Sequence, residues 1–179
     1  MAEQQEDITI REATPEDASG IARVHVDSWR TTYRGMMPDQ LLDNLSYESR
    51  AHRWEQILSD PAGAGFTYVA QDRSGQIVGF ASGGPDRDED PRYQGELWAI
   101  YLLEEYQGRG IGRRLTQAVA RRLADMGMHS MIVWVLADNP ARRFYEALGG
   151  QYVGERDIEI NGAKLREVAY GWADTSHLL

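Results

Sequence analysis

The stretch "YQGRGIG" at 106–112 sets glycines at every second position, Gly108, Gly110 and Gly112, with Arg109 among them and Arg113–Arg114 directly behind. It follows the apolar run "LWAIYLL" and opens a segment with helical periodicity. Glycines cost conformational entropy and add nothing to a core. A helix entered through them bares several backbone N–H groups at its positive end, and with the helix dipole those groups form an anion site. Arg109, Arg113 and Arg114 add positive charge at its rim. Phosphate is therefore the expected ligand. A P-loop would carry Lys-Ser/Thr after its last glycine, where this chain has Arg113–Arg114. A dinucleotide fingerprint needs a third glycine where Leu115 stands, and belongs near the first strand of a repeated β-α-β fold. Both familiar readings fail. Three alternate glycines exceed what a corner needs, so a pyrophosphate site is the expectation.

The elements that must position this loop can be read from periodicity and punctuation. "ITIRE" at 8–12 alternates as a strand. "TPEDASGIARVHVDSWRTTY" reads as a helix with Thr14 as N-cap, Pro15 in its first position and Asp17 three after the cap. Ile21, Val24, His25, Ser28 and Trp29 share one face of it. "MPDQLLDNL" is a short helix, and another from Ser46 sets Tyr47, Ala51, Trp54 and Leu58 at helical spacing. "FTYVAQDRSGQIVGFASGG" is a hairpin turning at Asp72–Gly75, and "PDRDEDPRYQG" a polar, solvated loop. "ELWAIYLL" is a strand, and the helix after the glycines keeps period through Ile111, Leu115, Val119, Leu123 and Met126 until Gly127. "SMIVWVLAD" is a buried strand. "NPARRFYEAL" is a short helix capped by Asn139 and closed by Gly149, and two strands flank the turn Asn161–Gly162. The last seven residues, "ADTSHLL", read as a tail, leaving a core of about 7–172. The single β-α-β unit should make its two strands parallel neighbours in an otherwise antiparallel sheet.

With 179 residues, five Trp and nine Tyr, the chain suits one domain with a real core. Its net charge of −9 argues against nucleic acid or an anionic membrane as partner. There is no cysteine, which excludes thiolate catalysis and Cys-based zinc sites. The start "MAEQQEDITI" lacks the features of a signal peptide, and no run approaches a membrane span, so a cytoplasmic protein is expected. The four histidines, at 25, 52, 129 and 177, show no metal-ligand spacing. His25 reads as a satisfied core residue, and Trp54 and Trp134 as core.

"YQGRGIG" resembles the Gln/Arg-x-x-Gly-x-Gly/Ala signature of the GNAT superfamily of N-acetyltransferases, with Gln107, Gly110 and Gly112 in the defining places. "NPARRFYEALGG" resembles that superfamily's second segment, in which Asn starts a helix carrying a Phe-Tyr pair. The likeness covers nearly the whole chain. One departure is Gly150, where the family often has a bulky residue; Tyr152 is expected to fill that space.

The resemblance implies an α+β fold, a mixed and mostly antiparallel sheet of about seven strands with helices on it, whose two parallel strands splay to form the cofactor cleft. It implies acetyl-CoA as co-substrate and no metal. The pyrophosphate would rest on Gln107, Gly108, Arg109, Gly110, Ile111, Gly112 and Arg113, and pantetheine would pair with Ile100, Tyr101 and Leu102. The Leu102 N–H would hold the developing oxyanion. Asn139 would contact the cofactor arm. Tyr145 would protonate the departing sulfur, with Phe144 turned to the core instead. Glu96, eleven residues before Gln107, stands where some members carry a catalytic base, acting directly or through water. The acceptor, a small-molecule or peptide amine, would enter against Asp27, Trp29, Tyr33 and Trp98. A homodimer, common among similar proteins, is left open, as is a non-catalytic acyl-CoA-binding module.

Overall fold

Alternating runs bounded by Gly, Pro and Asn make seven strands: β1 (Thr9–Glu12), β2 (Phe66–Gln71), β3 (Ile77–Pro85), β4 (Gly95–Leu102), β5 (Met131–Leu136), β6 (Gln151–Ile160) and β7 (Ala163–Trp172). In the computed structural model, which describes residues 7–179, they form one sheet in the order β1-β2-β3-β4-β5-β7-β6. The reading of "MAEQQEDITI" falls largely on residues 1–6, outside the described residues. All neighbouring pairs are antiparallel except β4 and β5, which run parallel across a helical crossover, as the β-α-β unit requires. The helices are α1 (Ala18–Thr32), α2 (Asp39–Asp43), α3 (Tyr47–Ser59), α4 (Ile111–Asp125) and α5 (Ala141–Ala147).

Local chemistry sets their ends. The Thr14 N–H donates to the Asp17 carboxylate at 2.8 Å, and Arg11 donates to both oxygens of that carboxylate at 2.8 Å. The first turn, Pro15–Asp17, is accordingly wound as a 3-10 helix before α1 begins. Ser46 caps α3, its Oγ accepting from the Ser49 N–H at 3.2 Å.

Central strand β3 is buried along nearly its whole length because both faces of the sheet are covered. Its Phe80 meets His25 of α1 and Trp54 of α3 on one face. Gly79 and Gly83 on the other face lie under Leu115 and Val119 of α4. Successive side chains on a strand point to opposite faces, so α1 with α3 and α4 form the two outer layers. Among the described residues no helix is long and apolar enough to cross a membrane.

The parallel pair is short. Gly95, Glu96 and Leu97 of β4 pair with Met131, Ile132 and Val133 of β5, and there the register stops, although β4 runs on to Leu102 and β5 to Leu136. The strands splay into a V beside the glycine-rich loop.

Two expectations are corrected. Residues 173–179 are no loose tail: Thr175–Leu178 form a 3-10 turn with Thr175 and Leu178 buried, and Thr175 donates through N and Oγ1 to the His129 carbonyl at 2.9 and 3.2 Å. The space at Gly150 is taken by Trp172, whose ring lies 2.8 Å from where a Cβ would stand, whereas Tyr152 is exposed. Tyr47, set at helical spacing with Ala51, Trp54 and Leu58, is exposed, and its hydroxyl reaches back to Asp27.

Candidate active site

The V opens into a cleft of about 870 Å³ that runs from the α4 loop past β4 and α5 to α1 and the β6–β7 hairpin. At the loop end Gly110 sits at φ +80° as the residue before α4, and Gly108 at φ +75° with no atom within 4 Å of where a Cβ would be. That left-handed geometry is open to glycine at little cost, and it leaves the N–H groups of the first turn bare. Gly112 matters differently: a Cβ there would stand 3.3 Å from the Phe144 ring, so α4 and α5 approach closely through it. Gln107, Gly108, Gly110, Gly112 and Arg113 line this end. Arg109 lies over the Tyr106 ring at 5.3 Å. Arg114 does not join the rim: it donates to the Ile8 carbonyl at 2.9 Å, because its place on α4 turns it toward β1.

The backbone of β4 supplies the middle of the cleft. The Leu103 N–H donates to the Val78 carbonyl at 3.0 Å. By the alternation of an antiparallel ladder, Tyr101 and Ala99 bond to β3, while Ile100 and Leu102 turn their N–H and C=O groups the other way, into the gap. Gln107 Nε2 satisfies the Leu102 carbonyl at 3.1 Å. The remaining polar groups of Ile100 and Leu102 face the cleft, and buried main-chain groups call for partners.

On α5, Asn139 Oδ1 accepts from the Ala141 N–H at 2.9 Å, so it caps the helix as expected; its Nδ2 has no partner among the described residues. Tyr145 and Phe144 both line the cleft, but their burial is the reverse of the expectation. Tyr145 is 4% exposed, packed on Tyr170 and Trp172, while Phe144 is the partly exposed ring set against Gly112. The seven-residue helix lies across β7, and position 145 is the one that faces it. The Tyr145 hydroxyl makes no hydrogen bond to the described residues, and burial raises its pKa above the ordinary 10.0, which keeps it protonated.

At the far end Trp29, Tyr33 and Trp98 line the wall. Tyr33 and Tyr101 share a hydroxyl contact of 3.3 Å, and burial raises the pKa of each. Asp27 is not part of this wall. About 100° separates neighbours on a helix, so with Ser28 and Trp29 turned inward Asp27 faces α3, where it accepts from Tyr47. Glu96 does lie in the cleft, 1% exposed, but it is not a free carboxylate. Arg87 donates to Oε1 from its backbone N–H at 3.0 Å and from Nε at 3.1 Å, and to Oε2 from Nη2 at 2.7 Å.

Sequence reasoning missed the groups around it. Trp134, read as core, stands on the cleft wall with the Arg156 guanidinium 3.8 Å above its ring. Arg156 also donates to Glu167 at 2.8 Å and to Asp88 at 2.6 Å. The loop carrying Asp88 is thus pinned to the cleft rather than solvated: Arg87 holds Glu96, Asp88 holds Arg156, and buried Asp86 accepts from the Asp88 and Asp90 N–H groups. The period of two in "ERDIEI" was the available signal, since Arg156, Ile158 and Ile160 all line the cleft.

His25 is satisfied on one side alone. Nδ1 accepts from Trp54 Nε1 at 3.2 Å, and Nε2 has no partner among the described residues. Burial, helped by Arg50 and Arg53, lowers its pKa from 6.5 to about 3. Between those values the unfolded chain binds the proton and the folded one does not, so this residue's contribution to stability is full above pH 6.5 and is lost as pH falls toward about 3. The thermal midpoint should drop over that window, and by less in His25→Gln; equal drops in both proteins would remove His25 as a cause. Among the described residues no group of three or more His, Asp or Glu could hold a metal ion.

A model of the acetyltransferase (GNAT) family matches residues 26–150. The uncharacterized N-acetyltransferase YuaI of Bacillus subtilis is 46% identical over 171 residues, 96% of each chain. The spermine/spermidine N(1)-acetyltransferase of the same organism is 35% identical over 97 residues, 51% of this chain and 62% of its own. The fold resembles that of yncA from Salmonella typhimurium, solved with acetyl-CoA, with a TM-score of 0.67, 23% identity and 93% of each chain covered.

Proposed function

The chain belongs to the GNAT family of acetyltransferases, and from that premise we propose that it moves an acetyl group from acetyl-CoA directly to a primary amine. The observation that carries this reading is the parallel pair that ends at Leu97 and Val133, leaving the Leu102 N–H and the Ile100 main chain without a strand partner beside a bare helix start. An amide-rich pantetheine arm ending in a diphosphate fits both features.

Acetyl-CoA supplies the activated thioester; the chain's residues do the rest. The N–H groups from Gln107 to Gly112, with Arg109 and Arg113, hold the diphosphate. Ile100 and Leu102 fix the arm as an added strand, and Asn139 Nδ2 donates to it. The Leu102 N–H polarises the acetyl carbonyl as the amine attacks. Tyr145 Oη delivers its proton to the departing sulfur. Holding both reactants side by side removes much of the entropic barrier. The attacking ammonium must first lose a proton. Three of the roughly four acceptor positions on the Glu96 carboxylate are taken by Arg87, so Glu96 acts through a water at Oε2. Trp29, Tyr33 and Trp98 pack against the acceptor. The two carboxylates at this end, Glu96 and Glu167, are each paired with arginine. A polyamine such as the relative's spermine would meet no free anion there, so a single amine suits the wall better.

Release of free thiol from acetyl-CoA, followed with a panel of polyamines, amino acids and peptide N-termini, tests the proposal. Turnover with one class of amine is expected. Tight binding of CoA without thiol release on any amine would make this an acyl-CoA-binding module instead.

A further inference from the structure

A second cavity, of about 700 Å³, lies outside the cleft between α2, the start of α3 and the tip of the β6–β7 hairpin. It shares no lining residue with the cleft, although Asn161 on its wall directly follows Ile160, which lines the cleft. Its charged residues are Arg50 and Arg53. Three residues apart on α3, they lie on one helix face. Neither guanidinium has a hydrogen bond or ion pair among the described residues. Elsewhere Arg11, Arg34, Arg87, Arg92, Arg156 and Arg166 hold carboxylates, and none of those arginines lines this cavity.

Arg50 is half-buried. Burial first, and then the like charge of Arg53, lowers its pKa below the ordinary guanidinium value, and the same pair depresses His25 beneath them. Two unpaired cations side by side, one of them partly desolvated, are destabilising unless an anion completes them. Around the pair stand neutral hydrogen-bonding side chains, Gln40, Asn44 and Asn161, none of which makes a side-chain hydrogen bond among the described residues. A guanidinium presents a planar fork of donors that matches a carboxylate or phosphate, and amide NH₂ groups suit the remaining oxygens.

From the open cavity, the unpaired arginines and the idle amides, we infer that this is an oxyanion-binding site that takes a phosphate or carboxylate group between Arg50 and Arg53. Such a group can arrive free, as an effector, or as the acidic end of an acceptor whose amine enters the cleft past Ile160. The chemistry of recognition is the same.

Titration calorimetry with inorganic phosphate tests it, with the protein saturated in CoA so that the α4 loop is filled, and with chloride at equal ionic strength as control. Phosphate should bind and raise the thermal midpoint, and Arg53→Ala and Arg50→Gln should each weaken it about tenfold. Arg53 is exposed, so its replacement does not threaten folding. Binding unchanged in both variants, or matched by chloride, overturns the inference. The readout needs no turnover, so it stands or falls apart from the acetyl-transfer proposal. Where turnover is found, paired acceptors with and without an acid group separate the two sources. A KM raised for the acidic acceptor alone in Arg53→Ala marks the acceptor's own group. A phosphate effect on every acceptor alike, lost in the variant, marks an effector. Either outcome supports the site.

Discussion

Replacing Gly110 with valine is expected to raise the dissociation constant for acetyl-CoA about a hundredfold or more while the protein still folds. Two effects combine. Gly110 holds φ +80°, a conformation that a β-branched residue adopts only under strain of about 1–3 kcal/mol. To relieve that strain the loop must rotate, and rotation swings away the N–H groups that open α4. The side chain would also stand where, in the proposed binding mode, the main chain approaches a diphosphate. The residue is exposed and no core packing passes through it, so the cost to folding is bounded by the strain itself. Calorimetry on acetyl-CoA, with a thermal melt as control, measures both. Near-normal affinity in a folded Gly110→Val protein would show that the diphosphate sits elsewhere. Gly110→Asn is a useful companion, since Asn tolerates the left-handed region and removes the strain while keeping the bulk.

Why this loop was legible and its surroundings were not follows from the kind of signal each one leaves. The sheet and its one parallel pair could be read because Gly, Pro and Asn punctuate every turn, and because a helix between two apolar strands admits one common handedness. The loop could be read because three glycines in place of side chains are costly without a purpose. Asp27 could not. A polar residue on an amphipathic helix is ambiguous until its neighbour is known, and here Tyr47 of α3 claims it. Trp134 failed for a related reason: an apolar run such as "MIVWVL" looks the same whether its strand faces a core or a cleft, and the splay of β4 from β5 is what opens this one. Glu96 lies in the cleft, yet its partner comes from a loop whose charges read as solvated. Arg87 lies nine residues away along the chain, across the β3–β4 connection, and only the closed hairpin brings the guanidinium to the carboxylate.

On α5, too, sequence periodicity does not tell which of two adjacent rings faces the sheet. Tyr145→Phe should lower turnover about a hundredfold, at the lower end of what a general acid contributes, and leave the affinity for acetyl-CoA within about threefold. The lower end is chosen because the leaving group is a thiolate, whose conjugate acid near pKa 8.5 makes it a fair leaving group even unaided. Sequence reasoning turned Phe144 to the core and left Tyr145 exposed to the cleft; the structure buries Tyr145 instead. Burial strengthens its case. It raises the phenol's pKa, since a dry site disfavours the phenolate anion. The phenol is therefore held fully protonated at neutral pH, as a proton donor must be. The ring's packing on Tyr170 and Trp172 does not involve the hydroxyl, so phenylalanine should preserve the fold. A merely structural Tyr145 would predict the reverse pattern: turnover within about twofold of the parent, with any loss appearing in the thermal midpoint. Single-turnover thiol release at saturating amine separates the two, because it reads the step in which the carbon–sulfur bond breaks, the step that the proposed proton from Oη would serve.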